Sequence, residues 1–361
     1  MSAMRILYAI NSMEGGGTVS NLPAILAALC GAGAEVRCAA LTRRNAKGIA
    51  PIEAAGFPVV VRDGGERDHF AAYRWLKREA RAFGATHIFT SLTRATLLGQ
   101  QAGRALGLPV VSWQHNAFLK PWNERLLRWL AHRSALWVAD SELVAGLTHT
   151  RLGVPRGRLV IWPIFFADPD TPQAAPWQEG APVRVGSLGR LHPAKGYDVL
   201  IAALAILRAR GITLPELDMT IAGEGGQRSA LEAVRDRASL DLPRFIGFVD
   251  DPAAWLASLH LYLQPSRREG FCIAAHEAMA AGLPVIVSDT GEMPLTVDMT
   301  MGRVVPVEDA NALAEALADM LADPSCLAEI GEAARERVLG KFSRERFISI
   351  GAQIVDRMRA L

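Results

Sequence analysis

Along the chain, short continuous apolar runs take turns with longer stretches in which apolar residues return every three or four positions. The first pattern reads as buried strand and the second as one-sided helix. Strand-like runs fall at residues 6–10, 35–41, 58–61, 87–91, 109–113, 135–139 and 158–163. Helical periods lie between them at 19–29, 69–83, 95–106, 120–133 and 142–152. The alternation resumes with strands at 183–189, 217–222, 244–246, 259–263 and 285–287, and with helices at 197–210, 311–321, 324–340 and 343–361. Such strand–helix alternation predicts parallel sheets covered on both faces, an α/β fold of doubly wound domains. Pro169, Pro172, Pro176 and Pro182 crowd one interval, which reads as a linker. The expected organisation is a first domain over 1–166, a linker over 167–182, a second domain over 183–342 and a closing helix over 343–361.

Composition agrees with two domains, because 361 residues, half of them hydrophobic, exceed one ordinary core. No uncharged apolar run reaches the length of a membrane span, and Met1-Ser-Ala-Met-Arg5 leads straight into a strand without a signal peptide. Cys30, Cys38, Cys272 and Cys326 are scattered without metal-ligand or disulfide spacing, which fits a reducing cytoplasm. The net charge of +2 hides an asymmetry. Residues 1–166 hold 20 lysines and arginines against 10 acids, a balance of +10, while residues 167–361 hold 19 against 27, a balance of −8. An anionic partner for the first half is implied, and nucleic acid, an anionic membrane and a phosphorylated glycolipid all fit it.

The chemistry centres on Glu269-Gly-Phe-Cys-Ile-Ala-Ala-His-Glu277-Ala-Met-Ala-Ala-Gly282-Leu-Pro-Val-Ile, read as strand end, loop, helix and next strand. Ligands of such units bind at the carboxyl ends of the strands. Glu269 falls in the loop, and Glu277 lies one to two turns into a helix too small and apolar to be a surface helix. The two carboxylates can address opposite ends of an extended polar ligand. The helix start offers the N–H groups of Phe271, Cys272 and Ile273 to anionic oxygens. A second loop, Gly189-Arg190-Leu-His-Pro-Ala-Lys195-Gly196, supplies a guanidinium fork and a point charge suited to phosphate. A third, Met13-Glu-Gly-Gly-Gly17-Thr18, lets the backbone at Gly16 and Gly17 approach a ligand, although it lacks the spacing of a dinucleotide or phosphate-loop fingerprint. His115 follows a strand directly, at the end where sites form.

Glu, seven residues, Glu, then Ala-Met-Ala, Gly and Pro-Val closely resembles the signature of retaining family 4 glycosyltransferases. The resemblance spans nearly the whole chain and is strongest from Gly186 to Val287. It implies the GT-B architecture, two doubly wound domains facing a cleft, and transfer of a sugar from a UDP-, GDP- or ADP-sugar to a glycan or glycolipid, as in cell-surface polysaccharide or lipopolysaccharide assembly. By the same resemblance Arg190 and Lys195 hold the diphosphate, Glu277 the ribose hydroxyls, and Glu269 with the Phe271–Ile273 amides the transferred sugar. His115 faces that sugar, Gly16 and Gly17 face the cleft, and the turns at Gly223 and Phe248 line the nucleotide pocket. Two cations in place of a metal imply metal independence, with no cofactor. The family often has Pro-Asn-Gly-Val-Asp after the last strand of its first domain; Pro163-Ile-Phe-Phe-Ala-Asp168 stands here and lacks the Asn-Gly turn. A sugar epimerase or phosphorylase of the same architecture, or a non-catalytic glycolipid- or nucleic-acid-binding protein, are the alternatives; the intact Arg190, Lys195, Glu269 and Glu277 argue against the last.

The helix at 120–133 places Trp122, Leu126, Trp129, Leu130 and Arg133 at spacings of three and four, with Lys120, Arg125 and Arg128 beside them. It fits either a membrane interface or a core-facing helix with a basic rim. With the basic first domain, it makes peripheral association with the inner face of an anionic membrane the expectation, and nucleic acid is not expected.

Overall fold

The computed structural model describes residues 4–116 and 118–361. Residues 1–3, the start of the expected first domain, lie outside the described residues. The chain divides into two compact units, Met1–Phe165 with Glu345–Leu361, and Phe166–Arg344.

The first unit carries seven strands, β1 (Met4–Ile10), β2 (Ala34–Ala40), β3 (Val59–Val61), β4 (His87–Ser91), β5 (Val110–Gln114), β6 (Leu136–Ala139) and β7 (Leu159–Ile161). They form one sheet in the order β3-β2-β1-β4-β5-β6-β7, parallel throughout. The register sets Leu7 opposite Ile88 and Tyr8 opposite Phe89. One face therefore presents Leu7, Ala9, Ile88 and Val110 to the helix His69–Phe83 and its Leu76, Ala80 and Phe83. The other face is aromatic. Tyr8 stacks on Phe89 at 5.1 Å, Trp113 on Trp162 at 4.7 Å, and Trp162 meets Phe347 at 5.0 Å. Phe347 belongs to the last helix, Arg344–Arg359, which buries Ile354, Val355 and Met358 as well. That helix is tied to the sheet by Trp162 Nε1, which donates to the Phe347 carbonyl at 3.0 Å, and by His87 Nε2, 2.9 Å from the Met358 carbonyl.

Two of the helices expected in this unit take a different form. The helical period at 19–29 is broken into Gly17–Ser20 and Leu22–Gly31, divided at Asn21. Pro23 then sits in the first turn of the second piece, where its missing N–H has no helical partner to lose. In the helix Pro121–Leu130, Leu127 and Leu130 are buried while Trp122 and Trp129 are each 67 % exposed. The expected single stripe is thus two faces, leucine inward and tryptophan outward.

The second unit has six parallel strands, β8 (Val183–Leu188), β9 (Leu217–Ala222), β10 (Arg244–Gly247), β11 (Leu261–Gln264), β12 (Val285–Ser288) and β13 (Gly302–Val305), in the order β10-β9-β8-β11-β12-β13. Val183, Val185, Met219, Ile221, Leu261 and Leu263 line its main core with the helices Tyr197–Ala209 and Ala310–Leu321. The proline-rich interval is bound along this unit. Ala174 N–H donates to Ala281 at 2.8 Å, Ala167 N–H to Phe342 at 2.8 Å, and the buried Arg335 guanidinium reaches the carbonyls of Pro169, Thr171 and Ala280. Among the described residues no helix is long and apolar enough to cross a membrane.

Candidate functional site

In each sheet the chain winds outward from the middle, first one way and then the other. The turning points are between β1 and β4 and between β8 and β11. Loops that leave neighbouring strands at such a point part in opposite directions and open a crevice at the carboxyl ends.

In the second unit the loop after β8 carries Arg190 and Lys195, and the loop after β11 carries Glu269. Arg190 is exposed. Lys195 ends the short turn Pro193–Lys195, and its Nζ donates to Glu269 Oε1 at 2.7 Å. Burial opposes the Lys195 charge, but the Glu269 carboxylate, with Cys272 and Tyr197 nearby, outweighs it and holds the proton above the usual lysine range. Gly196 makes this approach possible. Its φ is 65°, and a Cβ there would stand 2.0 Å from the Pro265 carbonyl oxygen. Arg267 stitches the two loops together, with its guanidinium on both Asp198 oxygens at 2.8 and 2.7 Å and on the Pro193 carbonyl at 2.8 Å.

Glu269 is held from beneath by a hydrogen-bonded file. Tyr262 Oη donates to Gln264 Oε1 at 2.7 Å, Gln264 Nε2 to Ser266 Oγ at 2.8 Å, and Ser266 Oγ to Glu269 Oε1 at 2.6 Å. Burial holds the Tyr262 phenol well above its ordinary range, so it remains a donor. Sequence reasoning passed over Tyr262, Gln264, Ser266 and Arg267. The polar alternation at the end of an apolar strand was the available signal for the first three.

The helix Ile273–Ala280 begins at Cys272, whose φ of 72° is left-handed, an uncommon and costly conformation for a residue with a side chain. The buried His276 pins that turn. Its Nδ1 lies 2.9 Å from the Cys272 carbonyl, and its ring stacks on Phe271 at 4.2 Å. Burial pushes the imidazole down to about 3, so it is neutral and donates from Nδ1. The first N–H groups of this helix, beginning with Ile273, have no carbonyl of a preceding turn to bond, and that of Ala275 is taken by Cys272. Glu277 lies one turn further on, half-buried, with no ion-pair partner among the described residues; burial pushes its carboxyl up to about 7. At the end of β9, Gly223 (φ 133°) comes so close to Gly189 that a Cβ would be 2.0 Å from its carbonyl oxygen, and its N–H donates to Gly247 at 2.6 Å. That draws the ends of β8, β9 and β10 together and leaves Phe248 52 % exposed just beyond. Arg190, Lys195, Gly223, Phe248, Glu269, Phe271, Cys272, Ile273 and Glu277 thus all belong to one edge of the second sheet.

The first unit holds the remaining candidates. Gly16 (φ 145°), in the loop after β1, and Gly17, the first residue of the helix Gly17–Ser20, are exposed, and Gly15 N–H donates to Asn45 Oδ1 at 3.1 Å. His115, just past β5, is buried with both ring nitrogens engaged. Nδ1 is 3.0 Å from each oxygen of Asp140, and Nε2 is 2.5 Å from Ser91 Oγ. A carboxylate accepts only, so Nδ1 carries a proton toward Asp140, and Nε2 shares a hydrogen bond with the Ser91 hydroxyl. Trp113 completes the arrangement, stacking on the His115 ring at 5.1 Å and donating from Nε1 to Asp140 at 2.5 Å. Ser91 and Asp140 end or follow β4 and β6, so three strand ends are joined through one histidine. Neither was singled out from sequence, since each sits in an unremarkable strand-to-helix turn. Among the described residues no three of His, Cys, Asp and Glu stand together in a way that would hold a metal ion.

A family model described as glycosyl transferases group 1 matches residues 172–337, and one described as glycosyltransferase family 4 matches residues 15–165. The lipopolysaccharide core biosynthesis mannosyltransferase LpcC of Rhizobium leguminosarum bv. viciae is 34% identical over 201 residues, 52% of this chain and 55% of that protein. A phosphatidyl-myo-inositol mannosyltransferase of Mycolicibacterium smegmatis is 39% identical over 156 residues, 42% of this chain and 39% of that one. The chain spans about half the length of the curated relatives it matches. Among solved structures, Anabaena HepE in complex with UDP superposes with a TM-score of 0.82 at 21% identity, covering 99% of this chain and 100% of that one. Sucrose-phosphate synthase from Thermosynechococcus elongatus does so with a TM-score of 0.80 at 21% identity, covering 99% of both chains.

Proposed function

The chain belongs to the family 4 glycosyltransferases and has their GT-B fold, and from that premise we propose that it is a retaining, metal-independent hexosyltransferase. Its donor is a nucleotide diphosphate sugar, and its acceptor is a glycan or glycolipid of cell-surface polysaccharide or lipopolysaccharide assembly. The observation that carries this reading is the set of charges at one edge of the second sheet, two cations and two carboxylates around a helix start. Arg190 and Lys195 take the diphosphate. Negative charge grows on that group as the glycosidic bond breaks, and preorganised cations and N–H dipoles stabilise it where it forms. Glu277 accepts from the ribose hydroxyls. Glu269, fixed by Ser266 and Lys195, orients the hydroxyls of the transferred sugar, with the Phe271–Ile273 backbone beside it. His115, buried with both ring nitrogens engaged, addresses the sugar only by exchanging its Ser91 contact for a sugar hydroxyl. No side chain is assigned as a nucleophile, so a front-face displacement with retention is the proposed route.

The relatives include enzymes named for lipopolysaccharide core and for phosphatidylinositol, which supports an acceptor carried on a lipid. With the outward Trp122 and Trp129 and the basic first unit, we extend the proposal to peripheral association with the cytoplasmic face of an anionic membrane. Thermal shift or calorimetry over a panel of UDP-, GDP- and ADP-sugars tests the donor class, and NMR of the product's anomeric proton tests retention. Saturable binding of one nucleotide series and an unchanged anomeric configuration are expected. If no nucleotide sugar binds, the transferase reading falls.

A further inference from the structure

A groove of about 1050 Å³ lies on the first unit between the end of β3 and the outer face of the helix His69–Phe83. Five cations line it, Arg62, Arg74, Lys77, Arg78 and Arg81, against the single carboxylate of Asp63. That carboxylate is already neutralised, since Arg43 Nε donates to it at 2.7 Å. Arg62 is likewise paired with Asp68, and Arg78 with Glu79 at 3.2 Å. Arg74, Lys77 and Arg81 have no carboxylate partner among the described residues. They repeat at spacings of three and four, so their charges repel one another along one helix face. Two aromatic rings lie beside these cations. Phe70 is 71 % exposed with the Arg74 guanidinium 5.9 Å from its ring centre, and Trp75 is half-buried at the side.

From this groove we propose a binding site for a phosphorylated saccharide, the anionic part of the acceptor, distinct from the donor edge of the second unit. Guanidinium forks take phosphate oxygens two at a time, and aromatic faces take the apolar faces of sugar rings. The volume suits an oligosaccharide rather than a lone ion. Cations side by side with an exposed phenylalanine and a half-buried tryptophan suit a chain of sugars bearing phosphate. The inference rests on the glycosyltransferase reading for the word acceptor, but not for the binding itself.

Calorimetry on the whole chain with four probes tests it: mannopentaose 6-phosphate, unphosphorylated mannopentaose, inorganic phosphate, and vesicles of phosphatidylglycerol. The phosphorylated pentasaccharide is expected to bind saturably and at least tenfold more tightly than either the neutral sugar or phosphate. The Arg74→Ala/Lys77→Ala/Arg81→Ala variant should lose at least tenfold of that affinity while keeping the wild-type melting temperature and nucleotide affinity. Phe70→Ala should weaken the saccharide several-fold without changing the response to inorganic phosphate. Equal affinity for phosphate and the phosphorylated sugar, unchanged binding in the triple variant, or displacement of the sugar by the vesicles would each overturn the proposal. Because nucleotide binding is followed in the same samples, failure of the donor reading shows separately from failure of the groove.

Discussion

Lys195 and Glu269 face one another across 2.7 Å, only 21 % and 11 % exposed, so an arriving diphosphate meets a cation that is already engaged. On the proposed reading, the donor draws Lys195 toward its phosphates while its sugar hydroxyls take over Glu269. Glu269→Gln removes the charge on one side of that exchange and is expected to cut turnover by an amount worth ~1–3 kcal/mol while leaving affinity for the free nucleoside diphosphate nearly unchanged. Glu277→Gln should do the reverse, weakening nucleotide binding by a similar amount. Wild-type behaviour of both variants in steady-state kinetics and calorimetry would remove these roles. Glu277 also predicts a pH signature. Its carboxyl is raised from 4.5 to about 7, so between those values the folded chain keeps a proton that the unfolded chain has released. Stability from this source is full below pH 4.5, declines as pH rises to about 7 and is flat beyond. Glu277→Gln should therefore be more stable than wild type at pH 8, by about 1–3 kcal/mol, and no more stable at pH 4.5, as thermal melts at the two values would show. In the same window the carboxylate ionises, so if it accepts from the ribose as proposed, nucleotide affinity should rise with pH through 7. If Arg190 and Lys195 supply the positive charge at the phosphates as proposed, turnover should persist in EDTA; loss restored by manganese or magnesium would refute that assignment.

Helices and strands differ in how openly the sequence declared them. Long periodic segments such as His69–Phe83 and Glu142–Leu152 were legible to within a residue, because their apolar spacing is set by the sheet they cover. β13, Gly302–Val305, was not read, since four residues with an arginine among them carry no distinct period and owe their conformation to pairing with β12. The charged residues at the carboxyl ends of the second sheet's strands were legible from their loops, whereas the Tyr262–Gln264–Ser266 file and the Ser91–His115–Asp140 link were not. Those hydrogen bonds run between strands or along a strand end, and linear spacing does not announce them. Facing was the harder inference for the helix Pro121–Leu130, where leucine and tryptophan have similar weight in a hydrophobic pattern but point in different directions. The two sides of that helix should answer differently to mutation. Leu127→Ala should cost about 2–5 kcal/mol of stability in denaturant melts, the range for emptying a buried leucine site. Trp122→Ala/Trp129→Ala should leave the melt within about 0.5 kcal/mol of wild type. The same double variant should lose flotation with anionic liposomes at low salt. Absence of flotation in the wild type would end the membrane proposal and leave the transferase reading in place.

At the scale of the molecule, the first unit is built from two pieces of chain with the whole second unit between them in sequence. The returning piece is integral to its core. It contributes Phe347 to the aromatic face, and Gly351 lies where a Cβ would stand 3.0 Å from Trp162 and 3.1 Å from Ala28. Removing residues 345–361 should therefore lower amide-exchange protection in β4 and β7 and around Trp162, while the strands β8 to β13 keep theirs. Equal loss in both sheets would show that the units do not unfold separately. The arrangement also bears on how the protein is made. Emerging from the ribosome, the first seven strands lack the helix that closes one of their faces until roughly 180 more residues have followed, a wait of about 10–40 s at ordinary translation rates. The second unit has all its own parts before then, so it can finish folding while the first still waits for its closing helix, with Trp162 short of its Phe347 partner.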